Sequence, residues 1–196
     1  MADLTIGWQA IEDAQLGWWP NFLPVHQADR LMADIQKTVA LQSGQVKVFG
    51  KHHTIPRLQA WFGPYAYRYS GETLPPNPIP DLLLPIMHQC QVLSGSQFNS
   101  VLLNYYRDGR DHMGWHSDNE PELGEQPIIA SVSLGAERDF DLRHRATNQR
   151  LRVPLTHGSL LVMAGDCQHK WQHALPKRLR ERQPRLNLTF RFVTSH

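Results

Sequence analysis

The stretch Arg185-Leu186-Asn187-Leu188-Thr189-Phe190-Arg191-Phe192-Val193 alternates between polar and apolar side chains as far as Phe192. A period of two marks a β-strand, whose successive side chains leave opposite faces. One face, Leu186, Leu188, Phe190 and Phe192, is expected to meet the core, and the other presents Arg185, Asn187, Thr189 and Arg191. The two guanidinium groups stand six residues apart, about 20 Å along an extended strand, so they cannot both grip one small ligand directly and need different tasks.

Upstream of it, further short period-two runs fall at 100–107, 128–134, 139–144, 150–154 and 159–163, broken by Gly, Pro and Asn turns. That pattern belongs to a β-sandwich or barrel. Earlier still, Pro24 opens an expected helix with Ala28, Leu31, Met32, Ile35 and Val39 on one face, and a second helix is expected over 81–93, stopped by Ser94-Gly95. Both read as packing elements. Leu74-Pro75-Pro76-Asn77-Pro78-Ile79-Pro80 is a rigid connector between them, and no repeat occurs at solenoid periods. The expected class is α+β, mainly β.

With 196 residues, 41% hydrophobic and 19% charged, the chain suits one domain with a substantial core and is neither disordered nor fibrous. Mean hydropathy is −0.45, and no apolar run approaches the roughly 18 residues of a membrane span. Met1 is followed by Asp3, Glu12 and Asp13 without a basic region leading into an apolar stretch, so no secretory leader is expected. Cys90 and Cys167 form neither a disulfide framework nor a paired metal motif, which points to a reducing cytoplasm, or to the nucleus in a eukaryote. Charge is divided unevenly: residues 1–140 carry 9 basic and 15 acidic side chains, net −6, while 141–196 carry 11 and 3, net +8. A basic segment of that density is either a solvated face or the footprint of a polyanion binder.

His116-Ser117-Asp118 places an imidazole and a carboxylate on one side of an extended segment, where they could share a cation. With 11 His and 11 Asp in 196 residues, chance gives roughly 0.6 such pairs, so a third ligand is required. His169 or His173, in a turn-rich stretch before the last strand, could supply it. Two imidazoles and a carboxylate leave positions open on octahedral iron for a bidentate co-substrate and dioxygen, although a zinc hydrolase accepts the same set. The strand arginines favour iron. A keto acid chelating the metal leaves a distal carboxylate that suits a planar guanidinium, and Arg185 or Arg191 could take it, with Asn104 and Tyr106 as hydrogen-bond donors.

In this order and spacing the motifs resemble the AlkB family of Fe(II)/2-oxoglutarate dioxygenases, most closely the human homologue 2 type, a repair enzyme that favours duplex DNA. The likeness runs from about Val46 to Val193 and includes Asn104-Tyr105-Tyr106-Arg107-Asp108-Gly109 and His157-Gly158-Ser159-Leu160-Leu161. It implies a double-stranded β-helix, or jelly roll, over about 99–196, with N-terminal helices packed outside and a nucleotide-recognition hairpin region within about 1–98. It implies iron on His116, Asp118 and His173, and 2-oxoglutarate on Asn104, Tyr106, Arg185, Asn187, Thr189 and Arg191. Arg191 would clamp the distal carboxylate, and Arg185, counted with the catalytic set, would sit nearer the metal and its carboxylate ligand.

The implied reaction is demethylation of N1-methyladenine or N3-methylcytosine in DNA, with dioxygen consumed, succinate and formaldehyde released, and ascorbate as reductant in vitro. The expected protein is a monomer that binds no membrane. Tyr67 and Tyr69 would stack the flipped base, Tyr69 standing at the family's stacking position, and Glu120 would favour its positive charge. Phe49, in Val48-Phe49-Gly50-Lys51, would wedge into the duplex. Arg57 and the loops bearing Arg143, Arg145, Arg150, Lys177, Arg178, Arg180 and Arg182 would hold phosphates. Asn119 stands where the relative has a second acid, leaving Glu120 as the sole nearby anion. Two alternatives keep parts of the pattern: a dioxygenase acting on RNA or protein, and a non-catalytic nucleic-acid-binding module.

Overall fold

The polar face of the 185–191 strand is as buried as its apolar face, with Arg185, Asn187, Thr189 and Arg191 each at most 9% exposed. The reason is its place in the sheet. The computed structural model describes residues 4–48, 51–69 and 72–195, and for 46–48, 51–53, 68–69 and 72 the backbone alone. Its strands are β1 (Gly7–Ile11), β2 (Ala14–Trp19), β3 (Gln42–Val48), β4 (Lys51–Phe62), β5 (Tyr67–Tyr69), β6 (Glu72–Leu74), β7 (Ser100–Tyr106), β8 (Met113–His116), β9 (Ile129–Gly135), β10 (Arg138–His144), β11 (Arg150–Leu155), β12 (Ser159–Gly165), β13 (Trp171–Leu175) and β14 (Arg185–Arg191). Its helices are α1 (Val25–Thr38), α2 (Leu84–Ser94) and the single turn α3 (Cys167–Lys170).

An eight-stranded sheet runs β1-β2-β12-β9-β14-β7-β4-β3, a four-stranded sheet runs β11-β10-β13-β8, and β5 pairs with β6. All the pairings are antiparallel, and β14 lies between β9 and β7 in the middle of the large sheet. The alternation seen in the sequence sorts side chains between two layers. Leu186, Leu188 and Phe190 of β14, Val101 and Leu103 of β7, and Val132 and Leu134 of β9 join Ala28, Leu31 and Ile35 of α1 and Ile86 and Cys90 of α2 in one core. The opposite parity, with Ile129, Leu161 and Met163, meets Leu142, Val153, Trp171 and Leu175 of the small sheet. The architecture is a jelly roll, mainly β, with two helices packed on the outside of the large sheet.

Both helices follow their sequence signals. Pro24, at φ −55°, precedes α1 without giving up a helical hydrogen bond. A 3-10 turn at Asp81–Leu83 leads into α2, which ends at Gly95 with φ 66°, a left-handed conformation that costs glycine little.

Several expectations change. Residues 1–98 hold more than the expected helices and hairpin region, because β1, β2, β3 and β4 supply half of the large sheet. The segment around His173 is the strand β13, not a turn-rich loop. β8 also escapes the pattern, its Gly114 interrupting any alternation. Phe192 lies beyond the end of β14 and is 49% exposed, because the pairing that would hold it inward stops at Arg191. Among the described residues no helix is long and apolar enough to cross a membrane.

Candidate active site

Pairing of β13 with β8 sets His173 opposite His116, with ring centroids 4.3 Å apart. Asp118, two residues past the end of β8, turns in beside them, so that one ligand atom from each of the three residues lies within 4.8 Å of the others. The His116 Nδ1 is 2.8 Å from the Gly114 carbonyl, which can only accept. Nδ1 therefore carries the proton, and the Nε2 lone pair is directed toward Asp118 Oδ1, 3.7 Å away. His173 packs against Phe140 at 5.1 Å.

Asp118 is held from two sides. Its backbone N–H donates to Gln168 Oε1 at 3.0 Å, and its Oδ2 accepts from Arg191 Nη2 at 2.6 Å. Its Oδ1 is enclosed with no hydrogen-bond partner, as is His173 Nδ1. An orphaned buried carboxylate oxygen is costly unless something positive completes it, and a divalent cation held with the two imidazoles would do so. Protonation states agree. Burial, and then the neighbouring His116, push the His173 imidazole down to about 3, and burial also lowers His116. Burial alone would raise Asp118, but Arg191 and the two imidazoles outweigh it and hold the carboxylate below its usual range. Two neutral imidazoles and one carboxylate are the form that ligates a metal.

His169 lies elsewhere, exposed, with its Nε2 on the Glu125 carbonyl. Between the two candidate histidines, the fold brings His173 to the pair.

Asn104, Tyr106, Asn187 and Thr189 line the same pocket as the three ligands. Asn187 donates from Nδ2 to Ser131 Oγ at 2.8 Å, and its Oδ1 accepts from Thr189 Oγ1 at 3.1 Å. The two arginines exchange the expected places. Arg191, not Arg185, bonds the carboxylate ligand. Arg185 sits at the far end, with Nη2 2.9 Å from Ser133 Oγ and its guanidinium 5.3 Å from the Tyr106 ring centroid. The pairing decides this: β14 runs antiparallel to β7, with Arg185 opposite Tyr106 and Arg191 opposite Ser100, so only the C-terminal arginine reaches Asp118. Burial pulls Arg185 down to about 10, still cationic at neutral pH, and no carboxylate pairs with it among the described residues.

Other placements differ too. Arg57, expected on phosphates, is 3% exposed and donates from Nε to Asn104 Oδ1 at 2.8 Å, because β4 lies beside β7. Tyr67, expected under a base, is fully buried, stacked on Trp61 at 4.4 Å and beneath the Arg191 guanidinium at 5.6 Å. Tyr69 lies on β5 with only its backbone described, and Phe49 lies outside the described residues. Glu120 is half-buried two residues beyond Asp118, and burial first, then the Asp118 charge, raise its carboxyl above the usual range. The orienting role of Gln168 carried no sequence signal, since only folding brings the α3 turn to Asp118. A larger cleft of about 470 Å³ between the end of α1 and the 74–82 connector is lined by no titratable side chain, so the chemistry does not lie there.

The family description 2OG-Fe(II) oxygenase superfamily matches residues 15–191. The chain is 39% identical over 186 residues to alpha-ketoglutarate-dependent dioxygenase alkB homolog 3 of Mus musculus, a match covering 89% of this chain and 65% of that protein. It is 42% identical over 180 residues to DNA oxidative demethylase ALKBH2 of Homo sapiens, covering 85% and 69%, and equally to that of Mus musculus, covering 85% and 75%. It thus spans a little under two thirds of the homolog 3 protein. Among solved structures, OsALKBH1 superposes with a TM-score of 0.63 at 18% identity over 93% of this chain and all of that one, a likeness of fold.

Proposed function

Because the chain belongs to the 2OG-Fe(II) oxygenase superfamily, and within it to the AlkB family, we propose that it is an Fe(II)- and 2-oxoglutarate-dependent dioxygenase that demethylates N-alkylated DNA bases, such as N1-methyladenine and N3-methylcytosine, in duplexes. The observation that carries the reading is the junction of Asp118 and Arg191: a metal-ready carboxylate fixed at one end of a pocket whose other end holds the unpaired cation Arg185.

His116, Asp118 and His173 would hold the iron. The Arg191 guanidinium fixes the rotation of the Asp118 carboxylate so that Oδ1 stays directed at the site. Arg185, with Ser133 and Tyr106 beside it, would bind the distal carboxylate of 2-oxoglutarate, and Asn104, oriented by Arg57, would donate from its amide. When bound, iron and 2-oxoglutarate would supply with dioxygen the oxidising power that hydroxylates an N-methyl group, which then leaves as formaldehyde while 2-oxoglutarate is converted to succinate and carbon dioxide. The protein's share is to position the methyl carbon and exclude water. Glu120 would favour a base made cationic by methylation over its neutral parent. Tyr69 would stack that base. Phe49 would fill the gap left in the duplex.

The test uses matched single- and double-stranded oligonucleotides carrying one N1-methyladenine, incubated with Fe(II), ascorbate and 2-oxoglutarate and read by mass. Loss of one methyl mass that requires 2-oxoglutarate is expected, at least as fast on the duplex. His173→Ala should abolish succinate formation, and Phe49→Ala should slow the duplex reaction while sparing the single strand. Equal losses on both strands for Phe49→Ala would remove the wedge, and activity on RNA alone would overturn the DNA assignment.

A further inference from the structure

On the outer face of the small sheet, pairing sets Arg143 of β10 directly opposite Arg150 of β11. Like charges in that position repel. Two residues along, the same two strands show the favourable arrangement, with Asp141 opposite Arg152 and accepting from its Nε at 2.6 Å. Among the described residues no carboxylate pairs with Arg143, Arg145 or Arg150. This half of the face therefore gathers three cations without a counter-charge, an arrangement that an anionic ligand relieves.

Beside them, at the edge of the sheet, stands Trp115. It immediately precedes His116 and is 41% exposed, and the Arg143 guanidinium lies 4.7 Å from its ring centroid. Arg143 is tied in turn to Gln172 Oε1 at 2.9 Å, and Arg145 to the hydroxyl of Ser117, between the two metal-binding residues, at 2.8 Å. An aromatic plate beside oriented cations takes a base by stacking and its phosphates by charge. A purely apolar partner would meet three uncompensated guanidinium groups.

We propose that Trp115 and Arg143 form a stacking station for an unpaired base adjacent to the one in the catalytic pocket, with Arg145 and Arg150 on its phosphates. The proposal rests on the demethylase reading and adds to it a base-binding position for substrates whose lesion lies in an unpaired stretch. Affinity for a labelled short single-stranded DNA carrying one N1-methyladenine, followed by fluorescence anisotropy over a range of salt, tests it. Trp115→Ala should weaken binding roughly tenfold, the worth of one stacked base, with an unchanged salt slope. Trp115→Phe should keep most of the affinity. Arg143→Gln should weaken binding and flatten the salt slope by about 0.7. Replacing each neighbour of the lesion in turn by an abasic residue should reproduce the loss in the wild type on one side only, and add nothing further in Trp115→Ala. Wild-type affinity in Trp115→Ala, equal losses in the Ala and Phe variants, or additive abasic effects would each overturn the station while leaving the demethylase reading intact. A wild-type protein that neither binds nor demethylates the oligonucleotide would overturn both.

Discussion

Arg191 and Asp118 form an ion pair in which both side chains are almost wholly buried. Such a pair adds little net stability over an apolar pair, but removing one partner strands a charge at a cost of about 3–5 kcal/mol. Arg191→Met should therefore lower the melting temperature and weaken Co(II) binding, measured by calorimetry, at least tenfold; unchanged metal affinity would show that Asp118 needs no anchor. A second expectation concerns pH. With His173 at about 3 in the folded chain and near its ordinary 6.5 when unfolded, the unfolded chain takes up the proton first between those values. Stability of the metal-free protein should be fully present above about pH 6.5 and fall as pH drops toward 3. Urea unfolding at several pH values should show the fall, and His173→Gln should flatten it. At this scale the sequence revealed His116 and Asp118, whose spacing is local. It assigned the place beside Asp118 to Arg185, where the fold puts Arg191, because alternation sets both on one face without saying which end of the strand meets Asp118.

Among the elements from β7 onward, the alternating strands were legible and β8 and β13 were not: four and five residues are too short to establish a period, and β13 is buried on both faces over most of its length. The connections that depend on close approach were equally hidden. Gly109, after β7, exchanges backbone hydrogen bonds with the segment after β13, its N–H donating to Glu181 O at 3.1 Å and its carbonyl accepting from Arg178 N–H at 2.8 Å. A Cβ there would lie 1.8 Å from the Arg178 carbonyl oxygen. Arg138, 1% exposed, ties the same loops by donating to the carbonyls of Asp108, Asp111 and Pro176. Gly109→Ala should force the loops apart, lower the melting temperature by several degrees and open 177–182 to proteolysis. Wild-type protease resistance in that variant would show that the backbone yields cheaply.

For the molecule as a whole, the jelly roll was legible from the spacing of strands and the resemblance of the motifs, but the contribution of the first residues was not. The likeness begins only at about Val46, and ahead of it the sequence pattern showed a helix but no strand. Yet β2 closes the large sheet against β12, with Leu16 and Trp18 in the inner core. Removing residues 1–22 should expose the whole edge of β12 and yield an aggregating protein without a cooperative transition, followed by size exclusion and thermal melting. A soluble, cooperatively folding truncation would show that the small sheet and the helices suffice. The central place of β14 bears on manufacture. β7 and β9 are synthesised long before it, yet each must keep one side open for it. A nascent chain therefore has neither a closed large sheet nor an anchored Asp118 until residue 191 has left the ribosome. A premature stop ahead of 185 would leave not a weaker version of the protein but an unpaired sheet, a substrate for chaperones and proteases.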